Sequence, residues 1–228
     1  MSASFTFARF VLRTTDAPAA RGFYAKLLGH DRMPIVPLHE QALARGARSH
    51  WLGQIEVDDV EATSDAFVMH GAEPLGPIGT FPDGRRFAVL RDPGGAIVGL
   101  TSPGSHDESS RVVVWHHMNT NDRARVERAY TTLFGWRLTR LVAHPEHGEF
   151  RHFAWPGSDV EAGTMVDIRS QAGRHAHWLF HMHVDDLDRA LATVHAERGI
   201  VLGPFALPDG ERLAVCDDPQ GAAFALRG

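Results

Sequence analysis

The chain has 228 residues, of which 43% are hydrophobic and 22% charged, and a formal net charge of −5 at pH 7. Its scattered Lys and Arg residues argue against a nucleic-acid partner, and no apolar run is long enough to span a bilayer. The beginning of the chain lacks the basic start and apolar core of a signal peptide. We therefore expect a cytoplasmic protein whose partner is a small molecule rather than a nucleic acid or a membrane.

The first predicted elements are a strand and a helix on either side of Asp16. Residues before Asp16 alternate as in a half-buried strand, and ARGFYAKLLG after it has helical spacing. Asp16 suits the N-cap of this helix, Pro18 its first turn and Gly29 its end. We call this strand and helix, with the strands that follow, module A.

A second module, B, begins at HWLGQIEVDDVEA and continues through LGPIGTFPDGRRFAVLRDPGGA. Asp59 precedes its helix, and the short strands that follow are separated by turns at Pro-Asp-Gly and Asp-Pro-Gly-Gly. The sequence of module B thus predicts a strand, a helix and up to three further strands.

Both modules recur in the second half of the chain. Asp122 and the helix end at Gly135 repeat module A, while HWLFHMHVDDLDRA and LGPFALPDGERLAVCDDPQGA repeat module B. Asp59 and Asp186 are 127 positions apart, and Asp92 and Asp218 are 126 apart. Such self-similarity indicates a repeated architecture.

The repeat predicts an α+β protein of two domains, residues 1–103 and 111–228, joined by the linker TSPGSHDESS. Paired modules would form a curved sheet around a cup, where ligands bind. Asp16 and Asp59 are 43 positions apart, whereas Asp122 and Asp186 are 64 apart, so about 21 residues are missing from module A. We expect short middle strands and a shallower cup in the first domain.

The VDDV and VDDL segments, the DPGGA and DPQGA turns, and the WHHM and HWL strands carry a family resemblance. The chain resembles the tandem two-domain branch of the vicinal oxygen chelate superfamily, which includes glyoxalase I, bleomycin-resistance proteins and extradiol dioxygenases. The resemblance implies two glyoxalase-like domains, each built of paired βαβββ modules. It does not by itself imply one activity, because this fold hosts many functions.

Metal-dependent members of the superfamily have ligands seven residues before the helix-capping Asp and a Glu after the DPxG turn. In this chain those positions are occupied by Arg9, Leu52, Trp115, Leu179, Gly99 and Ala225. None of these side chains is a credible ligand, so the usual metal site is expected to be absent.

Strand alternation places residues two and four positions further along on the same inward face. In the second domain these are His117 and Asn119, together with His181 and His183, and Trp115 shares the face. His117, His181 and His183 form a candidate site for a divalent metal such as zinc, iron or nickel. Alternatively, the imidazoles bind a ligand by hydrogen bonds without a metal, and Trp115 stacks on it.

In the first domain the inward face is predicted to carry Arg9, Arg13, Gln54 and Glu56. Arg9 and Arg13 could bind a carboxylate or a phosphate through bidentate contacts. The alternative is an internal Arg–Glu56 pair that fills a degenerate cup.

Other conspicuous side chains are expected to be structural. Tyr24 and Tyr130 lie at helical positions that face the sheet, and Trp51 and Trp178 correspond across the repeat. Cys216 is the only cysteine and lies in an apolar strand, where structural thiols are common.

Two functions remain open from the sequence. One is a bleomycin-resistance-like protein that binds a small molecule in its cups. The other is a metal-dependent lyase or dioxygenase that uses the nonstandard histidine site of the second domain. The chain could be a monomer or a homodimer, because a tandem protein can pair its modules internally.

Overall fold

The computed structural model describes residues 3–104, 109–145 and 148–228. The elements of the first half are β1 (Phe7–Thr14), α1 (Ala17–Leu28), β2 (Ile35–Pro37), α2 (Glu40–Ala44), β3 (His50–Glu56), α3 (Val60–Met69), β4 (Glu73–Pro74), β5 (Gly79–Thr80), β6 (Arg86–Arg91) and β7 (Ile97–Thr101). Those of the second half are α4 (Ser109–Val112), β8 (Val113–Thr120), α5 (Arg123–Phe134), β9 (Arg137–His144), β10 (Gly148–Ala154), β11 (Glu161–Asp167), β12 (His177–His183), α6 (Leu187–Ala196), β13 (Ile200–Ala206), β14 (Arg212–Asp217) and β15 (Ala223–Arg227).

The strands form two mixed sheets, one from each half of the chain. Within the described residues, the strand order of the first sheet is β2-β1-β3-β7-β6-β4, with β5 paired to β6. The order of the second is β13-β14-β15-β12-β8-β11-β10-β9. β3 pairs in parallel with β7, β8 with β11, and β12 with β15. This arrangement confirms the predicted α+β fold of paired βαβββ modules.

An aspartate caps the N-terminus of each of the four long module helices. The side chains of Asp16, Asp59, Asp122 and Asp186 each accept a hydrogen bond from the backbone N–H three residues later. Such a bond satisfies one of the donors that a helix start leaves unpaired, and its loss typically costs about 1 kcal/mol. The caps predicted at Asp16 and Asp122 are therefore confirmed.

Glycines end the two module A helices as predicted. Gly29 and Gly135 have left-handed φ values of 74° and 67°, and each donates its N–H to the carbonyl four residues earlier. This conformation carries little cost only for a residue without a Cβ atom.

The middle elements of module A are shorter than those of its repeat. Its β2 has three residues and is followed by the five-residue helix α2, whereas β9 and β10 have eight and seven residues. The depth of the first domain's cup stays a prediction.

The chain packs as two compact units, each of which contains segments from both halves. Unit 1 consists of Met1–Arg9, Gly53–Asp107 and His116–Trp178. Unit 2 consists of Phe10–Leu52, Glu108–Trp115 and Leu179–Gly228. The predicted domain limits, residues 1–103 and 111–228, follow the two sheets rather than these units and stay a prediction. Residues 105–108 of the predicted linker lie outside the described residues.

Each unit has its own aromatic core. In unit 1, Trp136 stacks on Phe153 with ring centroids 4.8 Å apart, and its Nε1 donates a hydrogen bond to the carbonyl of Phe5 at 2.7 Å. In unit 2, Phe10 meets Phe180 edge to face at 4.8 Å. Such ring pairs contribute about 0.5–1.5 kcal/mol beyond the burial of their area. The described helices include none that is long and apolar enough to cross a membrane.

Candidate functional site

Strand β8 presents two different faces in unit 1. His116 lies on the core face, where it stacks on Phe7 with ring centroids 5.2 Å apart and its Nδ1 donates to the Ala162 carbonyl at 2.9 Å. His117 and Asn119 alternate with His116 and therefore project from the opposite face. We call this opposite side of β8, β10 and β11 the inner face of unit 1.

His117 on the inner face is held in its neutral form. Its Nδ1 lies 2.8 Å from the Thr164 hydroxyl, because the parallel register of β8 and β11 sets the two residues opposite each other. Burial lowers the pKa of His117 to about 4, and the electrostatic influence of the nearby His177 and Arg174 acts in the same direction. A neutral imidazole can both donate and accept a hydrogen bond.

Asn119 continues the polar row from His117 to His177. Its side chain is a hydrogen-bond partner of His117, and its Nδ2 lies 3.4 Å from His177 Nε2. His177 Nδ1 donates to the His175 carbonyl at 2.9 Å, which leaves Nε2 as the acceptor in the neutral ring. Burial is the main cause that lowers the pKa of His177, so this neutral form is favoured.

Strand β10 adds Phe150 and His152 to the inner face. The Phe150 ring lies 5.7 Å from the His117 ring, and His152 is opposite Thr164 in the antiparallel register. His152 Nδ1 lies 2.9 Å from Glu161, a carboxylate that also binds Arg140.

Sequence reasoning missed Phe150, His152 and Thr164 as neighbours of His117. The alternation in GEFRHFA shows that Phe150 and His152 share a face. It does not show which strand they lie beside, since that depends on sheet register.

The predicted ligand residues of unit 2 have different environments. The Arg227 guanidinium lies over the Trp115 ring at 5.7 Å and is ion-paired with Asp209 and Glu211. His181 is buried and lies opposite Ala225 in the parallel register of β12 and β15. His183 has a side chain that is 49% exposed, and its Nε2 lies 3.5 Å from Asp185.

No metal-binding group is formed by His, Cys, Asp and Glu side chains in the parts of the chain that the structure describes. The predicted trio of His117, His181 and His183 therefore gains no support. One physical reason is that His183 is exposed and faces Asp185. A metal at these residues stays a prediction.

The predicted site residues of the first sheet are distributed over both units. In unit 1, the Arg9 guanidinium lies 5.0 Å from the centroid of Phe81. Gln54 is buried, and Glu56 accepts hydrogen bonds from the backbone N–H groups of Ser4 and Gly104 at 3.2 and 3.1 Å.

In unit 2, Arg13 is partly exposed on β1. Burial lowers the pKa of His50, and the positive charge of Arg13 contributes to this shift. The predicted Arg–Glu56 pair stays a prediction.

Cys216 is buried in unit 2, and burial raises the pKa of its thiol to about 12. A nucleophilic cysteine needs an accessible thiolate, so this environment is that of a structural residue.

Comparison with known proteins gives two relatives of particular interest. The chain is 29% identical over 242 residues to "Putative glyoxylase CFP32" of Mycobacterium bovis, covering 94% of this chain and 91% of that protein. It is 31% identical over 124 residues to "Anthracycline biosynthesis protein DnrV" of Streptomyces peucetius, covering 49% of this chain and 45% of that protein.

Solved structures share the fold at low sequence identity. The 2,3-dioxygenase LapB from Pseudomonas sp. KL28 matches with a TM-score of 0.66 and 13% identity, covering 100% of this chain and 93% of that one. The Mn(II)-bound glyoxalase from Novosphingobium aromaticivorans matches with a TM-score of 0.63 and 12% identity, covering 100% and 83%. A family model matches residues 33–100 and 112–226, and the chain belongs to the Glyoxalase/Bleomycin resistance protein/Dioxygenase superfamily.

Proposed function

We propose that the protein binds a small, planar molecule bearing carbonyl or hydroxyl oxygens at the inner face of unit 1, and that it does so without a metal. The observation that carries the proposal is the neutral His117, placed between Thr164 and Asn119 and beside Phe150.

The chemistry of these side chains supports an uncharged ligand. A neutral imidazole, a hydroxyl and a carboxamide each offer both a donor and an acceptor, which suits carbonyl and hydroxyl groups. The flat ring of Phe150 offers a surface for an aromatic molecule. Ligand sites generally combine apolar contact with a small number of polar groups of this kind.

The name of one relative supports the same ligand class. DnrV is named as an anthracycline biosynthesis protein, and anthracyclines are planar, hydroxylated quinones. Molecules of that class present both the flat surface and the oxygen atoms that the inner face of unit 1 can contact.

The metal-free part of the proposal rests on the donor atoms. Ala225 lies opposite His181, and Gly99 lies opposite Gln54, so neither position supplies a carboxylate. The metal-dependent lyase or dioxygenase considered from the sequence would need ligands such as these. The residues present therefore do not fit a metal centre of the superfamily type.

A titration with 1,4-dihydroxyanthraquinone, followed by its visible absorbance, tests the proposal. The variants His117→Ala and Thr164→Val should each weaken binding about tenfold, since one lost hydrogen bond is worth about 1.4 kcal/mol in such a site. His195→Ala, an exposed change on α6, is the matched control and should change the affinity less than about twofold.

Equal binding by His117→Ala and the unmodified protein would contradict the proposed site. Metal analysis of untagged protein tests whether binding is metal-free. Stoichiometric zinc, iron or nickel that is lost in His117→Ala would contradict metal-free binding and support the metal-dependent alternative.

A further inference from the structure

A second group of polar and aromatic residues lies on the first sheet of unit 1. The Phe81 N–H donates to the Arg85 carbonyl at 2.8 Å across the Pro-Asp-Gly turn, so the two residues are paired. Arg85 directly precedes β6 and Phe87 lies in β6 two positions on, so their side chains are on the same side of the chain. The Phe81 and Phe87 rings lie 4.5 Å apart. We call Arg9, Phe81, Arg85 and Phe87 the Arg85 cluster.

Arg85 keeps one donor without an acceptor. Its Nε and Nη2 lie 2.9 and 2.8 Å from Asp83, whereas its Nη1 is buried and has no hydrogen-bond partner in the described parts of the chain. A buried polar group left unsatisfied costs about 1–3 kcal/mol, and more when it is charged. Such a group calls for an acceptor that the described residues do not supply.

A second cation lies on the same aromatic ring. The guanidinium carbons of Arg9 and Arg85 are 5.0 and 5.2 Å from the Phe81 centroid, so they are at most about 10 Å apart. Guanidinium groups in contact with a ring are stabilised by its π-electrons and are less hydrated than ammonium groups. Both guanidinium groups are therefore in contact with the Phe81 ring.

The carboxylate that binds Arg85 lies partly in solvent. Asp83 has a side chain that is 53% exposed, so solvent screens its charge.

We propose that the Arg85 cluster binds a small carboxylate with a flat apolar body. One carboxylate oxygen accepts a hydrogen bond from Arg85 Nη1, and the apolar body packs against Phe87. Asp83 occupies two of the five N–H donors of Arg85, and the buried Nη1 carries two N–H groups that lack an acceptor among the described residues. A singly charged carboxylate suits the N–H groups of one nitrogen better than a phosphate dianion, which requires more donors.

Benzoate is the probe for this site. Its binding to the full chain is followed by NMR through the Nε–H signal of Arg85 and the ring signals of Phe81. Benzamide has the same shape without the charge, and acetate has the charge without the ring. Benzoate should bind at least about tenfold more tightly than either compound, since each loses one kind of contact.

The variant Arg85→Gln should weaken benzoate binding at least about tenfold. Arg86→Gln is the matched control, because Arg86 is the next residue and also binds a carboxylate, with its Nε 2.7 Å from Glu61. It should change the affinity less than about twofold.

Asp83→Asn is an independent variant at an exposed position. It releases the donors of Arg85 and should strengthen benzoate binding several fold. Benzoate that leaves the Arg85 signal unmoved, or that binds Arg85→Gln as well as the original protein, would overturn the proposal and leave Arg85 as a partner of Asp83 alone. Weaker binding by Asp83→Asn would overturn it as well.

Discussion

The hydroxyl of Tyr24 donates a hydrogen bond to Asp218 at 3.2 Å, across 194 positions of sequence. Trp51 Nε1 donates to the same hydroxyl at 2.9 Å. In unit 1, Tyr130 makes the equivalent bond to Asp92 at 3.1 Å. In both units a helix tyrosine from one half of the chain is therefore bound to the Asp-Pro turn of the other half.

These buried hydrogen bonds predict similar losses of stability in two variants. Tyr24→Phe removes the partner of Asp218 and of Trp51, and should lower the free energy of unfolding by about 1–3 kcal/mol. Tyr130→Phe should cause a similar loss in unit 1, because the arrangement is repeated. Urea unfolding followed by tryptophan fluorescence measures both. A loss below about 0.5 kcal/mol in either variant would show that its hydroxyl is not important for stability.

Two glycines are predicted to respond oppositely to alanine. A Cβ atom at Gly163 would overlap the His116 carbonyl and the Phe153 ring, so Gly163→Ala should destabilise the protein by about 3 kcal/mol or more. Gly22 lies within α1 with no atom within 4 Å of its Cβ position, so Gly22→Ala should stabilise the protein by about 0.5–1 kcal/mol. Thermal unfolding distinguishes the two, and a stable Gly163→Ala protein would contradict the register of β8 and β11.

The burial of His116 predicts that the folded protein loses stability in acid. Burial lowers its pKa from 6.5 to about 4, so between these values the unfolded chain takes up a proton that the folded chain does not. The contribution of His116 to the free energy of unfolding is complete above pH 6.5. It decreases as the pH falls to about 4, by about 3 kcal/mol in total.

The variant His116→Phe tests this dependence. At pH 7.5 it should be less stable by about 1 kcal/mol, because the bond to Ala162 is lost. At pH 5 it should be as stable as the original protein or more so, since Phe cannot be protonated. Urea unfolding at the two pH values measures the stability of the variant relative to the original protein. An equal loss of stability at both pH values would contradict the lowered pKa of His116.

The lowered pKa of His117 predicts that the ligand affinity hardly changes with pH near neutrality. With its pKa lowered to about 4, the imidazole stays neutral at pH 5.5 as at pH 7.5. The affinity for 1,4-dihydroxyanthraquinone should therefore change less than about twofold between these values. A loss of about tenfold centred near pH 6.5 would indicate a histidine with an ordinary pKa.

Local features of the fold were predictable because short-range rules govern them. The four capping aspartates and the glycine ends of α1 and α5 follow from helix-end geometry. The Asp-Pro turns follow in the same way, as the Gly95 N–H donates to the Asp92 carbonyl at 3.0 Å with a φ of 99° at Gly95. The burial of Tyr24 and Tyr130, both predicted to be structural, follows from helical spacing.

The composition of the sites was less predictable because it depends on contacts between distant segments. Thr164 became a neighbour of His117 through the register of β8 and β11, which alternation alone does not specify. No sequence pattern singles out Arg85, since the lack of an acceptor for its Nη1 depends on all the neighbours that folding brings to it.

The sequence by itself determined the four modules, their order and the residue types on each face of their strands. Periodicity, turn chemistry and internal repetition are local properties that the chain carries whether folded or not. Only the tertiary structure decided that Tyr24 binds Asp218, that His117 is neutral and that His183 is exposed beside Asp185. Desolvation, charge interactions and buried hydrogen bonds depend on which distant residues surround a group, and these neighbours are brought together only by folding.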